Sequence, residues 1–350
     1  MQRQLRKVHK WIGLALAVFI VAQALSGTAL TFRASLERTL AGEARQASGD
    51  VSAYSLDAAL TAIRNARPNA FISRVYFPQD ADDTVTARLL VDGGDAYEFV
   101  SIDHSRQYRV SSLGSSSGVM FTLFRWHEYL LVKGPGQVMN VLIGVGLISL
   151  ALTGVYFWWP LRKRQGLKVA WRARPKIKWY DIHRVLGVIA APFLVVSAIT
   201  GMSITIRAFD WNSAMSPALI SASVAAAPLD PVLALLASGV GRSSGPVKEV
   251  RFSSSKPEAS FLVFSLDEPW PAAVDRIMVS TDNGQIKFAR RAADASPWAR
   301  VLGWLYPLHS GQAFGVAGQI FVFVMGLMLI VVASGGVWLW LLRAGHAGKK

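Results

Sequence analysis

HKWIGLALAVFIVAQALSGTALTF, residues 9 to 32, and HRVLGVIAAPFLVVSAITGMSITI, residues 183 to 206, are two versions of one segment. His9 aligns with His183, Gly13 with Gly187 and Gly27 with Gly201, without a gap. Each version is an apolar run that, as a helix, is long enough to cross a hydrocarbon core of about 30 Å, which takes roughly 20 residues. The first follows the basic RQLRKVHK and contains the small residues AQALSG, both features of a cleaved leader. However, it runs on to Phe32 and its copy stands in the chain interior, where no leader can be, so both are read as spanning helices.

The repetition extends outward from this pair. HEYLLVKGPGQVMNVLIGVGLISLALTGVYFWW from His127 aligns with HSGQAFGVAGQIFVFVMGLMLIVVASGGVWLWL from His309. This alignment pairs His127 with His309, Gly136 and Gln137 with Gly318 and Gln319, Gly144 with Gly326, Gly154 with Gly336, and Trp158 with Trp340. The predicted spans are Trp11 to Phe32, Val138 to Pro160, Val185 to Ile206 and Phe314 to Leu342. Between them, SLDAALTAI resembles PLDPVLALL, RVYF resembles EVRF, and VSIDHSRQ resembles VSTDNGQI. These intervening stretches read as a short helix followed by strands with alternating apolar positions, such as TARLLV and FLVFSL.

The fold class expected is therefore a mixed membrane protein, a four-transmembrane-helix bundle from a tandem parallel repeat, carrying two small α+β extracytoplasmic domains. The chain divides into an N-terminal end and first span (1–33), a first outer domain (34–117), and a pre-membrane segment with the second span (118–160). A basic loop (161–182), the third span (183–207), a second outer domain (208–297), a pre-membrane segment with the fourth span (298–342), and a tail (343–350) complete it.

Charge orients this plan. The chain has 350 residues, 52% of them hydrophobic, and a formal net charge of +15. Residues 1–10, 161–184 and 343–350 hold 16 Lys and Arg against one acid, Asp181, while the rest of the chain holds 21 of each sign. The positive-inside rule places those three basic segments in the cytoplasm, and the two long segments outside the inner membrane, in the periplasm. The basic excess is thus a topology signal and a contact for anionic lipid, with no nucleic-acid partner implied. The absence of Cys excludes disulfides, Cys-ligated metal and c-type haem attachment.

Four of the six histidines occupy aligned positions. In a parallel duplication, His9 faces His183 near the cytoplasmic side, and His127 faces His309 near the outer side. Two imidazoles at equal depth across a bundle are what a bis-histidine haem b requires, one axial nitrogen from each side of the ring. Gly13 and Gly187 lie four residues after a histidine, on the same helix face, where a missing side chain leaves room for a flat macrocycle. Lys7, Lys10 and Arg184 on the inside, and Arg125 and Arg300 on the outside, are candidate cations for its propionates. A lone histidine at a helix end is ordinarily interfacial and hydrogen-bonded, and duplication copies residues whatever they do, so that reading stays open. Zinc is the weaker rival, since each pair offers two nitrogens where three or four protein ligands are usual.

Other chemistry finds little support. The spans contain Gln23, Ser26, Thr28, Asn140, Thr153, Ser197 and Thr200 but no charged residue in any core, which weakens an ion-coupled transporter. GVGLIS at 144–149 lacks the third glycine and the preceding strand of a dinucleotide fingerprint, and no hydrolase motif is present. Trp11, Trp126, Trp158, Trp159, Trp179, Trp304, Trp338 and Trp340 sit near span ends as interfacial anchors, with a role between two cofactors as the minority reading. Asp80, Asp82 and Asp83 read as a solvated loop, and His104 as a turn residue.

RKVHKWIGLALAVFIVAQALSGTALTF, TGVYFWWPLRKR, DIHRVLG and the LDAAL and VSID elements together resemble the PepSY-associated transmembrane family, across nearly the whole chain. VSIDHSRQ departs from the family's glycine-bearing turn, whereas VSTDNGQ keeps Asp282 and Gly284. The resemblance implies two PepSY-like outer domains and a haem-containing inner-membrane ferrisiderophore reductase. It implies a ferric siderophore or other Fe(III) chelate as acceptor, while the two histidine pairs suggest two haems b, and the basic cytoplasmic surface suits an acidic flavoprotein or ferredoxin as electron donor, with a membrane quinol equally allowed. A cofactor-free PepSY sensor or interaction protein and a siderophore or metal permease remain the alternatives.

Overall fold

A computed structural model of the chain describes residues 2–41, 54–78, 84–91, 96–208, 227–237, 245–254, 256–265 and 267–347. The Asp80, Asp82 and Asp83 loop lies outside the described residues. Two compact units emerge, one built from residues 1–32, 122–214 and 305–350, the other from residues 33–121 and 215–304.

The first unit is helical. Its long helices are α1 (Gln2–Thr31), α5 (Pro135–Trp158), α6 (Pro175–Ala208) and α9 (Gly315–Ala347), and four segments are long and apolar enough to cross a membrane: Gln2–Thr31, Pro135–Leu161, Pro175–Ala208 and Gln312–Leu342. Helices α1 and α6 each pack against both α5 and α9, so sequence-equivalent helices stand at opposite corners of a ring. Their outward faces expose Val18, Leu25, Leu152, Val196 and Phe321, a surface suited to lipid rather than water. Inward, small residues let backbones approach: a side chain on Gly146 would overlap Leu16, and one on Gly326 would overlap Thr28.

Two boundaries differ from the hydropathy reading. Helix α6 starts at Pro175, well before the apolar run at Val185, and α1 starts at Gln2. Lys, Arg and Tyr sustain a helix as readily as apolar residues, so the helices extend past the apolar windows and His9 and His183 sit inside them rather than at their mouths. Two shorter helices, α4 (Gly114–Tyr129) and α8 (Pro297–Ser310), precede α5 and α9 and carry His127 and His309 near their C-terminal ends.

The second unit is an α+β body. Helices α2 (Arg33–Ala41) and α3 (Leu56–Ala66) and strands β1 (Phe71–Tyr76), β2 (Val85–Val91), β3 (Ala96–Asp103) and β4 (Arg109–Ser112) come from the first long segment between spans. Helix α7 (Asp230–Ala237) and strands β5 (Val247–Phe252), β6 (Glu258–Phe264), β7 (Val274–Ser280) and β8 (Ile286–Arg290) come from the second. The sequence suggested two separate domains, but the eight strands form one antiparallel sheet in the order β4-β3-β2-β1-β5-β6-β7-β8. The join is β1 on β5, with Arg74 opposite Arg251, Val75 opposite Val250 and Tyr76 opposite Glu249. One face of that sheet shares one core: Leu56, Leu60 and Ile63 of α3 and Leu229, Val232 and Leu236 around α7 pack on Val75, Leu89, Val100, Val250, Phe261 and Val279.

Local turn chemistry follows the sequence. His104 opens a 3-10 turn, His104–Arg106, whose first amides are met by the Asp103 carboxylate at 3.1 Å from Ser105 N. Where VSIDHSRQ lacks a glycine, Gln107 and Tyr108 themselves take left-handed φ values of 55° and 57°. In the second half Gly284 does so at 71°, without the steric cost that a Cβ brings.

Candidate functional site

The helical unit brings the four aligned histidines together as two pairs. The ring centroids of His9 and His183 are 6.5 Å apart, and those of His127 and His309 are 6.1 Å apart. Gly27 follows His9, and Gly201 follows His183, by 18 positions of continuous helix, or about 27 Å of axial rise. Because His127 lies against Gly27 and His309 against Gly201, that rise separates the levels of the two pairs.

Each imidazole is oriented through Nδ1. His9 Nδ1 lies 2.7 Å from Thr153 Oγ1, and His183 Nδ1 lies 2.8 Å from the Val332 carbonyl. His127 Nδ1 meets Ser26 Oγ at 3.1 Å, and His309 Nδ1 meets Thr200 Oγ1 and the Ser197 carbonyl, each at 3.1 Å. Ser26 and Thr200 are sequence-equivalent hydroxyls, so the outer pair is held in the same way twice. Among the described residues no partner takes any of the four Nε2 atoms. An imidazole tied at one nitrogen and free at the other is the arrangement of a metal ligand, whose second-shell bond fixes the ring and raises its basicity. Burial, and then the neighbouring charge of His309, holds His127 down at about 4, and burial likewise lowers His309, so both lone pairs are available at neutral pH.

Glycines seat the rings. A Cβ on Gly27 would lie 2.8 Å from His127 Cε1, and one on Gly201 would lie 2.9 Å from His309 Cε1. On the inner side a Cβ on Gly336 would come within 3.2 Å of His183 Cε1, and one on Gly154 within 3.9 Å of His9 Cε1. Sequence alignment pairs Gly27 with Gly201 and Gly154 with Gly336, but their ring contacts depend on how the helices rotate. Gly13 and Gly187 play a gentler part. They line the space between the inner rings, and a Cβ there would make ordinary contacts at 3.7 and 3.8 Å with Leu150 and Val332.

That space is a cavity of about 370 Å³ lined by His9, His183, Gly13, Gly187, Gly154 and Gly336, within the range of small-molecule sites. Trp158 and Trp340, also aligned, border it. Arg6, Lys10 and Arg184 supply its cations. Arg6 precedes His9 by one helical step and was missed by the sequence reading, which took Lys7; Arg6 lies 5.7 Å from the Phe157 ring. Arg184 is more committed than expected. Its Nη1 donates to the Gly166 carbonyl, and its Nη2 to the Lys168 carbonyl and to Asp181. Its Nε is nevertheless a buried donor with no partner among the described residues. Of the outer cations, Arg125 donates to Tyr129 Oη at 2.9 Å along its own helix, and Arg300 turns back to the Ala293 and Ala295 carbonyls. Asn140 and Gln23 bind the carbonyls that end α4, fixing the backbone of His127, a function that sequence showed only as polar residues inside spans.

The geometry can be tested against the group it suggests. An iron bound to two imidazole nitrogens at about 2 Å each puts the ring centroids roughly 6 Å apart. Both observed separations match. Among the described residues no third His, Cys, Asp or Glu joins either pair, so each offers a metal two protein nitrogens, as an axially ligated macrocycle needs. The orphan Arg184 Nε and the glycine-lined cavity fit the acidic edge and flat body of the same group.

Four apolar spans and an antiparallel sheet define a membrane protein with α+β domains. The chain belongs to the PepSY-associated transmembrane family, whose model, the PepSY-associated TM region, matches residues 6–343. No curated protein matches it.

Proposed function

We propose that this chain is a bacterial inner-membrane haem b reductase that carries electrons from the cytoplasmic side to a ferric siderophore or similar Fe(III) acceptor outside, releasing Fe(II). The observation that carries the reading is the set of four imidazoles, each bonded at Nδ1, free at Nε2, and paired at the spacing of axial ligands. His9 and His183 would hold one haem and His127 and His309 another. A haem b supplies a one-electron Fe(III)/Fe(II) carrier in a setting that excludes water.

The protein's own residues do the rest. Thr153, Val332, Ser26 and Thr200 fix the tautomers and planes of the ligands, and Gly27, Gly201, Gly154 and Gly336 leave room for the rings. Arg6, Lys10 and the Arg184 Nε would offer charge to propionates at the cavity beside His9 and His183, and Arg125 is the candidate cation for the His127 and His309 pair. Two stations, one near each end of the spans, would shorten a crossing that is too long for one productive electron step. Each electron delivered converts one Fe(III) to Fe(II), which hard oxygen chelators hold far less tightly.

The orientation belongs to the same reading. A tandem parallel duplication, with both termini and the 161–182 loop in the cytoplasm, puts the basic excess inside and the sheet in the periplasm. The inner surface then suits an acidic flavoprotein or ferredoxin as donor, and the bilayer suits a quinol. In proteoliposomes with internal reductant and an external ferric chelate with an Fe(II) indicator, the wild-type chain is expected to produce external Fe(II). His9→Ala and His127→Ala should each abolish it. Equal Fe(II) formation by wild type and variants rejects the proposal, and transport of intact chelate inward favours the permease.

A further inference from the structure

The sheet has two faces of opposite character. One packs on α3 and α7; the other carries arginines. Cross-strand register puts Arg88 beside Arg74 and Arg74 beside Arg251, across three consecutive strands at the middle of the sheet. Arg276 and Arg290 are neighbours on β7 and β8. Glu249 connects the two groups: it ion-pairs with Arg74 at 3.4 Å and with Arg251, and through Leu262 it is two strands from Arg276. Like charges directly opposite one another weaken a sheet, yet here five guanidinium groups meet one carboxylate. The Glu249 side chain is 5% exposed and is used up by its two partners, whereas those of Arg74 and Arg251 remain 31% and 37% exposed. Among the described residues no acceptor meets Arg276 or Arg290. Burial, and then the charges of Arg251 and Arg290, lower Arg276 from its usual range, and burial together with Arg74 does the same for Arg88. Arg88 also lies 5.1 Å from the Tyr97 ring and 5.6 Å from the Phe121 ring, and its Nε donates to Ser73 Oγ at 2.9 Å, so its guanidinium plane is fixed.

A face that concentrates cations at a cost to its own stability is built to be neutralised by something else. We propose that this arginine face binds an anionic, carboxylate-bearing Fe(III) chelate, with the planar guanidinium forks engaging its carboxylates in pairs. The fork geometry matches carboxylate oxygens two at a time. The partly sunken Arg74, Glu249 and Arg251 cluster suits a compact ligand better than a flat bilayer. The inference deepens the reductase reading by naming the charge class of its acceptor, and it rests on that reading.

Gallium(III) citrate tests it, because this probe copies the charge of a ferric polycarboxylate and cannot be reduced, so binding is read without electron transfer. Calorimetry on the full chain in zwitterionic nanodiscs should show binding that weakens steeply as salt rises. Arg276→Gln with Arg290→Gln, at positions with no hydrogen-bond or ion-pair partner among the described residues, should weaken it about tenfold. Arg74→Gln should weaken it further, and Glu249→Gln, which removes the competing carboxylate, should tighten it. Haem content should be unchanged throughout. No binding to wild type at low salt, or equal affinity in the Arg276 and Arg290 double variant, overturns the proposal. So does a face that binds phosphatidylglycerol vesicles while gallium citrate fails to compete. A haem-free chain that still binds gallium citrate through these arginines would sink the reductase and leave the site standing.

Discussion

A methyl group on Gly27 would come within 2.8 Å of Cε1 of the His127 ring, which is held at Nδ1 by Ser26. Gly27→Ala should therefore displace the imidazole, and Gly201→Ala should do the same to His309, each costing about 1–3 kcal/mol of packing strain. The readout is selective: loss of the outer haem with the inner one retained, followed by its absorbance. Gly13→Ala, whose Cβ meets Leu150 at an ordinary 3.7 Å, should keep both haems and change the inner band at most slightly. This contrast also marks what single residues in the sequence could disclose. The four histidines were legible because duplication printed them twice in register. The glycines beneath them were legible only as matches, since which ring a helix presents to which glycine depends on helix rotation. Arg184 looked like a free cation because the carbonyls of Gly166 and Lys168, which claim it, come from a loop fold that no periodicity encodes.

Among the elements, the sheet is tied together at its helix starts. The Asp57 carboxylate of α3 accepts from the Leu229 and Asp230 amides at 2.8 Å, while Asp230 of α7 accepts from the Leu56 and Asp57 amides at 2.6 and 3.2 Å. Each aspartate thus caps the other segment's helix, satisfying amides that a helix start leaves open. Asp57→Ala and Asp230→Ala should each destabilise this unit by about 1–2 kcal/mol, measured as a lowered melting temperature. Removing one outer segment should unfold the other rather than leave an independent domain; a segment that retains cooperative unfolding on its own contradicts this. Strands such as FLVFSL were readable from alternation, but the β1 to β5 join was not. Edge pairing between distant segments leaves no local pattern, and two copies of a motif read as two domains until the edges meet.

For the molecule as a whole, charge asymmetry and the paired histidines make connected claims. The chain has no cysteine, so single introduced cysteines report sidedness directly. Lys168→Cys should react with an impermeant maleimide only after the cytoplasmic side is opened, and Asn283→Cys should react from the periplasmic side in intact spheroplasts. The reverse pattern would refute the orientation. The four spans were the most legible feature at this scale, because span length is a property of long windows that survives local irregularity. The central claim is that each histidine pair holds a haem, and haem stoichiometry of the purified chain tests it most directly. The account predicts about two haems b per chain with a Soret band that shifts on dithionite reduction, falling to about one in His9→Ala and in His127→Ala. Haem-free protein from haem-replete cells, or unchanged stoichiometry in both variants, would contradict it.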